Sequence, residues 1–347
     1  MIFPHVCATL LMAVIPVFAA AAVQPVTSGS GLDYQAAVVR ASGDGTRIVV
    51  FERLDASLNG DLWLTRSNDG GQSWSAPVLA IGSAPNERHP ALVETSPGAF
   101  ALFYLKGTSS ASTYRIWRAT SSDGINFAEQ GMLDLGWATG GEVNPHVVRH
   151  ADGTLTMSYQ RLGSGGVYVA QSNDGGFTWD AQQTAIHANG QLPRIAYRES
   201  DGLYLASYQT GSTALQMWVK TTTNLRDWSA PAQAFAATGN NHDSLPVVLA
   251  DDAFVLFWIR EVAGQFDIAA RRSADGANWS EDIVVTASAG ENDVEPHPLV
   301  GASPGVVELY WGREMPLGSN DYDIVRDAAV VLVDALFMDG FDDTASQ

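Results

Sequence analysis
The sequence predicts an all-β fold, a six-bladed β-propeller of four-stranded antiparallel blades, and three observations carry that reading. An acidic turn motif stands intact twice, as Ser67-Asn68-Asp69-Gly70-Gly71-Gln72-Ser73-Trp74 and as Ser172-Asn173-Asp174-Gly175-Gly176-Phe177-Thr178-Trp179. Shorter copies are Ser121 to Phe127 and Ser273 to Trp279, and a worn one is Thr222 to Trp228. The closing aromatics Trp74, Phe127, Trp179, Trp228 and Trp279 lie 53, 52, 49 and 51 residues apart, a period that marks an array of similar supersecondary units. An alternating apolar run such as Asp61-Leu62-Trp63-Leu64-Thr65-Arg66 precedes each copy, and each unit has room for four short strands. A two-sheet sandwich would not need a repeat of unit length.

The chain divides accordingly. Residues 1–22 read as a secretory signal: Val6 to Phe18 is apolar and Ala19 to Ala22 offers small cleavage positions. His5 is the only candidate charge ahead of the apolar run, and an N-terminal membrane anchor is the alternative. Cys7 is the only cysteine, so a mature chain lacks disulfides, thiol catalysis and cysteine-held metals. Residues 23–31 read as a flexible lead-in, 32–335 as the propeller and 336–347 as an acidic tail.

Unit one spans Leu32 to Leu79, with strands at Ala36–Arg40, Arg47–Glu52 and Asp61–Arg66. The next units open at Asn86, Glu142, Asn189, Asn241 and Asp293. The sixth lacks the acidic turn, and 327–333 is the candidate for closing the ring. Asp-Gly pairs supply the positive φ of tight turns, so the motif reads first as a folding staple and only second as a ligand site.

Each unit presents a polar opening to its innermost strand and a loop after its second strand on the same face. The openings supply Gln35, Arg88, His89, His146, Arg194, His242, Asp243, Glu295 and His297; the second loops supply Arg53, Asp55, Asp61, Lys106, Arg161, Tyr208, Arg260, Glu261, Trp311, Arg313 and Glu314. A formal charge of −19 disfavours nucleic acid and anionic membranes as partners. Seven basic residues at one mouth of so acidic a chain (Arg53, Arg88, Lys106, Arg161, Arg194, Arg260, Arg313) point to an anionic ligand gripped by arginine. Pairing with Glu52, Glu261 and Glu314 is the alternative. Tyr310 and Trp311 are candidates for stacking on a sugar. Nothing sets the four histidines at a metal spacing. No metal site and no cofactor is expected; Asp293, Glu295 and Asp321 are left as candidates for structural calcium.

The turn motif resembles the Asp-box, or BNR repeat, of the sialidase (neuraminidase) superfamily. The resemblance covers about residues 32–333 and implies a glycoside hydrolase with an arginine triad, a Tyr nucleophile with a Glu partner, and an Asp acid/base. Such enzymes depart from the two-carboxylate scheme. Glu52-Arg53 and Gly60-Asp61-Leu62 match the family's first unit, which makes Asp61 or Asp55 the acid/base. Arg260 and Arg313 take the second and third triad roles, Tyr310 or Tyr322 the nucleophile and Glu261 its partner. The family's first triad Arg is replaced by Gln35, with Arg88 or Arg194 as compensating groups. Losing one charged grip on a carboxylate costs about 1.5–3 kcal/mol. The resemblance thus implies a secreted, monomeric, exo-α-sialidase-like protein acting on an acidic or terminal sugar of an extracellular glycan. A non-catalytic glycan- or protein-binding propeller and a polysaccharide lyase are the alternatives.

Overall fold
The computed structural model describes residues 23–29, 31–108, 113–163, 165–181, 185–212, 215–234 and 240–332. Residues 1–22, expected to be a secretory signal, and 336–347, expected to be an acidic tail, lie outside them. The described residues form strands and turns, with no α-helix among them.

Strand β1 (Gln24–Pro25) precedes a first group of β2 (Leu32–Arg40), β3 (Arg47–Leu54), β4 (Gly60–Ser67) and β5 (Val78–Ile81). A second group has β6 (Asn86–Ser96), β7 (Ala99–Gly107), β8 (Arg115–Ser121) and β9 (Ala128–Met132). A third has β10 (Glu142–Arg149), β11 (Leu155–Arg161), β12 (Val167–Ser172) and β13 (Asp180–Ala181). A fourth has β14 (Gln191–Arg198), β15 (Leu203–Thr210) and β16 (Gln216–Thr222), with a bridge from Val219 to Ala232 where a further strand would pair. A fifth has β17 (Asn241–Val248), β18 (Phe254–Val262), β19 (Gln265–Ser273) and β20 (Ile283–Val284), and a last has β21 (Asn292–Val300), β22 (Val306–Glu314) and β23 (Tyr322–Val331). Within every group, strands adjacent in sequence pair antiparallel.

Among the described residues the last group has no fourth strand of its own. β1, inside the stretch expected to be a flexible lead-in, instead supplies one. β1 pairs antiparallel with β23, the amides of Val26 and Thr27 donate to the Ile324 carbonyl, and Ile324 N donates back to Thr27 Oγ1 at 2.9 Å. β2 meets the same strand in parallel only at Leu32 and Tyr322, and β1 covers more of its edge, with Val26 and Thr27 both buried.

The acidic turns follow the third strands and fasten one group to the group before it. In one copy Ser172 Oγ donates to Asp174 Oδ1, while Phe177 N and Thr178 N donate to the same oxygen at 2.9 and 3.0 Å. Asp69, Asp123 and Asp275 accept equivalent bonds, and Asn224 does so in the worn copy. These carboxylates are consumed by the turn, as the staple reading expects. In each of the four turns that carry glycine, one Gly is pressed on the preceding group: a Cβ on Gly176 would stand 2.4 Å from Phe103, at a φ of +88°. Trp179 then meets Phe103 edge-on at 5.5 Å, and Trp74 meets Tyr310 of the last group at 6.1 Å. Separate apolar clusters fill the junctions of successive groups, and one of them, with Val49, Phe51, Tyr310 and Ile324, joins the last group to the first. The first strand of each group likewise lies against that of the next, and β21 against β2. The result is a propeller-like arrangement of antiparallel sheets.

Candidate functional site
Every first strand breaks its register at the same level, and β6 breaks a second time at Glu94/Ser96. The shared breaks fall at Tyr34/Ala37, Arg88/Ala91, Val143/His146, Gln191/Arg194, His242/Leu245 and Val294/His297. Inside each bulge one non-glycine residue is left-handed: Gln35, His89, Asn144, Leu192, Asp243 and Glu295, with φ between 46° and 55°. A side chain with a Cβ adopts this region at a cost of about 1 kcal/mol or more. Bulges re-aim side chains, and here they turn them to a shared cavity.

That cavity, of about 450 Å³, is lined by residues of all six first strands. One end is polar, with Gln35, His89, His146, Arg194, Asp243, Glu295 and His297; the other is largely apolar, with Val38, Leu92, Val148, Val248 and Val300. The polar side chains are ringed by protein yet keep part of their surface open to the cavity.

The charges act on one another. Burial raises the Glu295 carboxyl well above the usual carboxylate range, and the Asp243 carboxylate pushes it the same way; Arg194, Gln35 and His242 oppose them. Gln35 Nε2 donates to Glu295 Oε1 at 3.3 Å. His242 Nδ1 and Asp243 Oδ2 lie 2.7 Å apart. Burial disfavours the charged form of His242, but the Asp243 bond and the nearby Asp243, Glu295 and Glu261 carboxylates outweigh it and raise its pKa. Burial and then the Arg194 charge hold His297 down to about 4. Burial lowers His146 and His89 too, with Arg194 adding to both. His146 Nδ1 accepts the Ile195 amide, whereas His89 Nδ1 is buried without a partner. Among the described residues Arg194 donates only to the Pro193 carbonyl, and burial lowers its pKa against the pull of Glu295 and Asp243.

The structure brings some of the sequence candidates here and leaves others elsewhere. Arg194 enters the cavity, and Glu261 ends β18 close enough for its charge to act on His242. Tyr310 is fully buried between sheets, its hydroxyl donating to Glu308 Oε2 at 3.1 Å. Trp311 is 1% exposed and donates to Asp293, so it offers no stacking face. Asp55 closes its own turn by accepting the amides of Ser57 and Asn59. Asp61 is half-buried beside Ser83; burial raises its pKa, and its Oδ1 has no partner. Tyr322 is buried against Tyr34 with its hydroxyl 3.4 Å from Glu314.

The mouth arginines are mostly spent on carboxylates. Arg53 grips Asp33 at 2.6 and 2.8 Å, Arg88 binds Glu52 at 2.7 Å, and Arg313 grips Asp293 at 2.7 and 3.0 Å. Lys106 bridges Glu87 and Glu129. Arg161 lies over Trp137, and Arg260 stands 3.9 Å from Asp282. Of the pairing partners expected, Glu52 holds Arg88, whereas Glu314 accepts from Asn292 and Asn320 instead. Asp33 takes Arg53, Glu87 and Glu129 take Lys106, and Asp293 takes Arg313. Of the calcium candidates, Asp293 is occupied by Arg313 and Trp311, and Asp321 accepts the Gly31 amide. No group of three or more His, Cys, Asp or Glu among the described residues is placed to hold a metal ion.

Glu295, Asp243, His297, His146 and His89 were not selected by the family resemblance, which points to loop residues. Their signal in the sequence is positional: all fall in the polar openings that recur once per unit.

No family model matches the chain, and no curated protein matches it in sequence. Its fold does match solved structures. A protein of unknown function from Dyadobacter fermentans superposes with a TM-score of 0.75 at 14% identity, over 92% of this chain and 100% of that one. A Hadza microbial sialidase gives 0.68 at 17% identity, over 87% of this chain and 66% of its own. Trypanosoma rangeli sialidase in complex with the inhibitor DANA gives 0.68 at 11%, over 88% and 57%. At these identities the likeness is one of fold, and the chain has a sialidase-like β fold spanning only part of those sialidases.

Proposed function
We propose that this chain is an exported six-bladed propeller of the Asp-box type that acts on extracellular glycans. It takes a terminal sugar at the polar end of its axial cavity and hydrolyses the bond beyond it. The carrying observation is the cluster of Glu295, Asp243 and Arg194 on bulged first strands around one cavity. Burial keeps the Glu295 proton into the neutral range, which suits a general acid. Glu295 gives that proton to the departing glycosidic oxygen, water adds to the anomeric carbon, and the proton of that water passes to Asp243. The Asp243 carboxylate is oriented by His242 at 2.7 Å. Two carboxyl groups of unlike protonation are the usual glycosidase requirement. The sialidase-like fold and the signal-like residues 1–22 support the class and the export.

The burial of Tyr310, the expected nucleophile, favours a second reading, a propeller that binds glycans without turnover. A panel of fluorogenic glycosides offered to the purified protein separates the two. Release of fluorophore from at least one glycoside is expected. Silence across the panel, with retention of glycans on an array, would leave the binding reading; silence with no retention would remove both.

A further inference from the structure
We propose that the sugar accepted by the axial cavity is a neutral one, a hexose or amino-sugar residue without a carboxylate. This inference rests on the glycan-acting reading above and narrows it. The chain's basic residues at the mouth suggested an anionic ligand while their partners were unknown. The structure shows what those partners are. Asp33, Glu52 and Asp293 are each 2% exposed or less, and they are held by Arg53, Arg88 and Arg313. Drawing any of these arginines onto a ligand would strand a buried carboxylate, so none is available for one.

Arg194 is the basic side chain left facing the cavity's polar end, and it faces Glu295 and Asp243 there. The imidazoles of His89, His146 and His297 add no positive charge, since burial holds each neutral. A carboxylated sugar would therefore meet one guanidinium, already faced by the Asp243 carboxylate, in a chain of net charge −19.

Hydroxyl groups suit the same surroundings. Each donates one hydrogen bond and accepts others. Asp243 and Glu295 offer acceptor oxygens, Arg194 offers donors, and the imidazoles offer either. Gln35 Oε1 and His89 Nδ1 are buried at this end with no partner of their own. A ring of hydroxyls can satisfy both, whereas a carboxylate has no proton to give the Gln35 oxygen.

The test is calorimetric titration of the purified protein, at pH 7, with methyl glycosides of glucose, galactose, mannose and N-acetylglucosamine, and with those of glucuronate, galacturonate and sialic acid. At least one neutral glycoside is expected to bind 10-fold or more tightly than every acidic one. Its affinity should change less than 2-fold between 50 and 500 mM salt. Glu295→Gln and Arg194→Lys, both close in shape, should weaken it 10-fold or more, with circular-dichroism melts confirming that each variant folds. Tighter binding of an acidic glycoside, weakened by salt and lost in Arg194→Lys, would overturn the neutral-sugar proposal and leave the glycan reading standing. Binding of no glycoside in either set, with none held on a glycan array, would overturn both.

Discussion
The acidic turns and the axial bulges both recur around the molecule, and they use the recurrence in opposite ways. The turns repeat their side chains. Asp69, Asp123, Asp174 and Asp275 each sit in a nest of amide and hydroxyl donors, and each has its pKa lowered; for Asp69 the Ser73 hydroxyl is the largest cause. The bulges repeat only their backbone. The same left-handed position is filled by Gln35, His89, Asn144, Leu192, Asp243 and Glu295 in turn. One carboxyl there, Glu295, is buried and raised rather than lowered. A feature kept with its side chain is scaffold; a backbone kept while its side chains diverge is where a pocket acquires different groups on each wall.

This comparison can be broken by mutation, and the largest effect belongs to the axial ring. Glu295→Gln should lower glycoside turnover by about 100-fold or more, the usual worth of a general acid, with the melting temperature within a few degrees of wild type. Asp61→Ala, at a carboxyl away from the cavity, should leave turnover within about 3-fold. Equal loss in the two variants would move the acid to Asp61.

The junctions come next. Trp179→Ala removes the ring that meets Phe103 and should destabilise the protein by about 3 kcal/mol, with denaturant melts as the measure. Deleting residues 23–28 uncovers β23 and should lower the melting temperature without touching the cavity. An unchanged melt would show that β1 contributes nothing to closure. Asp174→Ala in a staple should cost less, about 2–4 °C, with turnover unchanged.

The smallest effect is on the pH dependence of stability, and its sign differs between groups. Glu295 has a raised pKa in the folded state, so its contribution is full below the ordinary glutamate value of about 4.3 and is lost as pH rises through neutrality. His297 is lowered to about 4, so its contribution is full above about 6.5 and is lost as pH falls towards 4. Melts from pH 4 to 9 should therefore show Glu295→Gln flattening the alkaline limb alone and His297→Gln the acid limb alone.

The strands and turns were legible because Asp-Gly turns and alternating apolar runs are local signals. The units began close to where the sequence put them: β6 begins at Asn86, β10 at Glu142 and β17 at Asn241. The role of residues 23–27 was not legible, since nothing local says that Gln24 will pair with Arg326 across the whole chain. The site was half legible. The polar openings named Glu295, Asp243 and the histidines as a set, because one such stretch recurs per unit. Choosing among them needs the bulge, and a left-handed Glu295 leaves no mark in the sequence. Tyr310 and Trp311 read as mouth residues from their place near the end of a strand. In β22 the sheet packing buries Tyr310 against Trp74 and Trp311 in the junction with the fifth group.

The most direct test sets one residue of each ring side by side, Glu295→Gln against Asp174→Ala, with turnover or glycan binding and the melting temperature measured on both. The account predicts that Glu295→Gln loses function and keeps its melt, while Asp174→Ala loses about 2–4 °C and keeps function. Full function in Glu295→Gln, or loss of function in Asp174→Ala without unfolding, would contradict it.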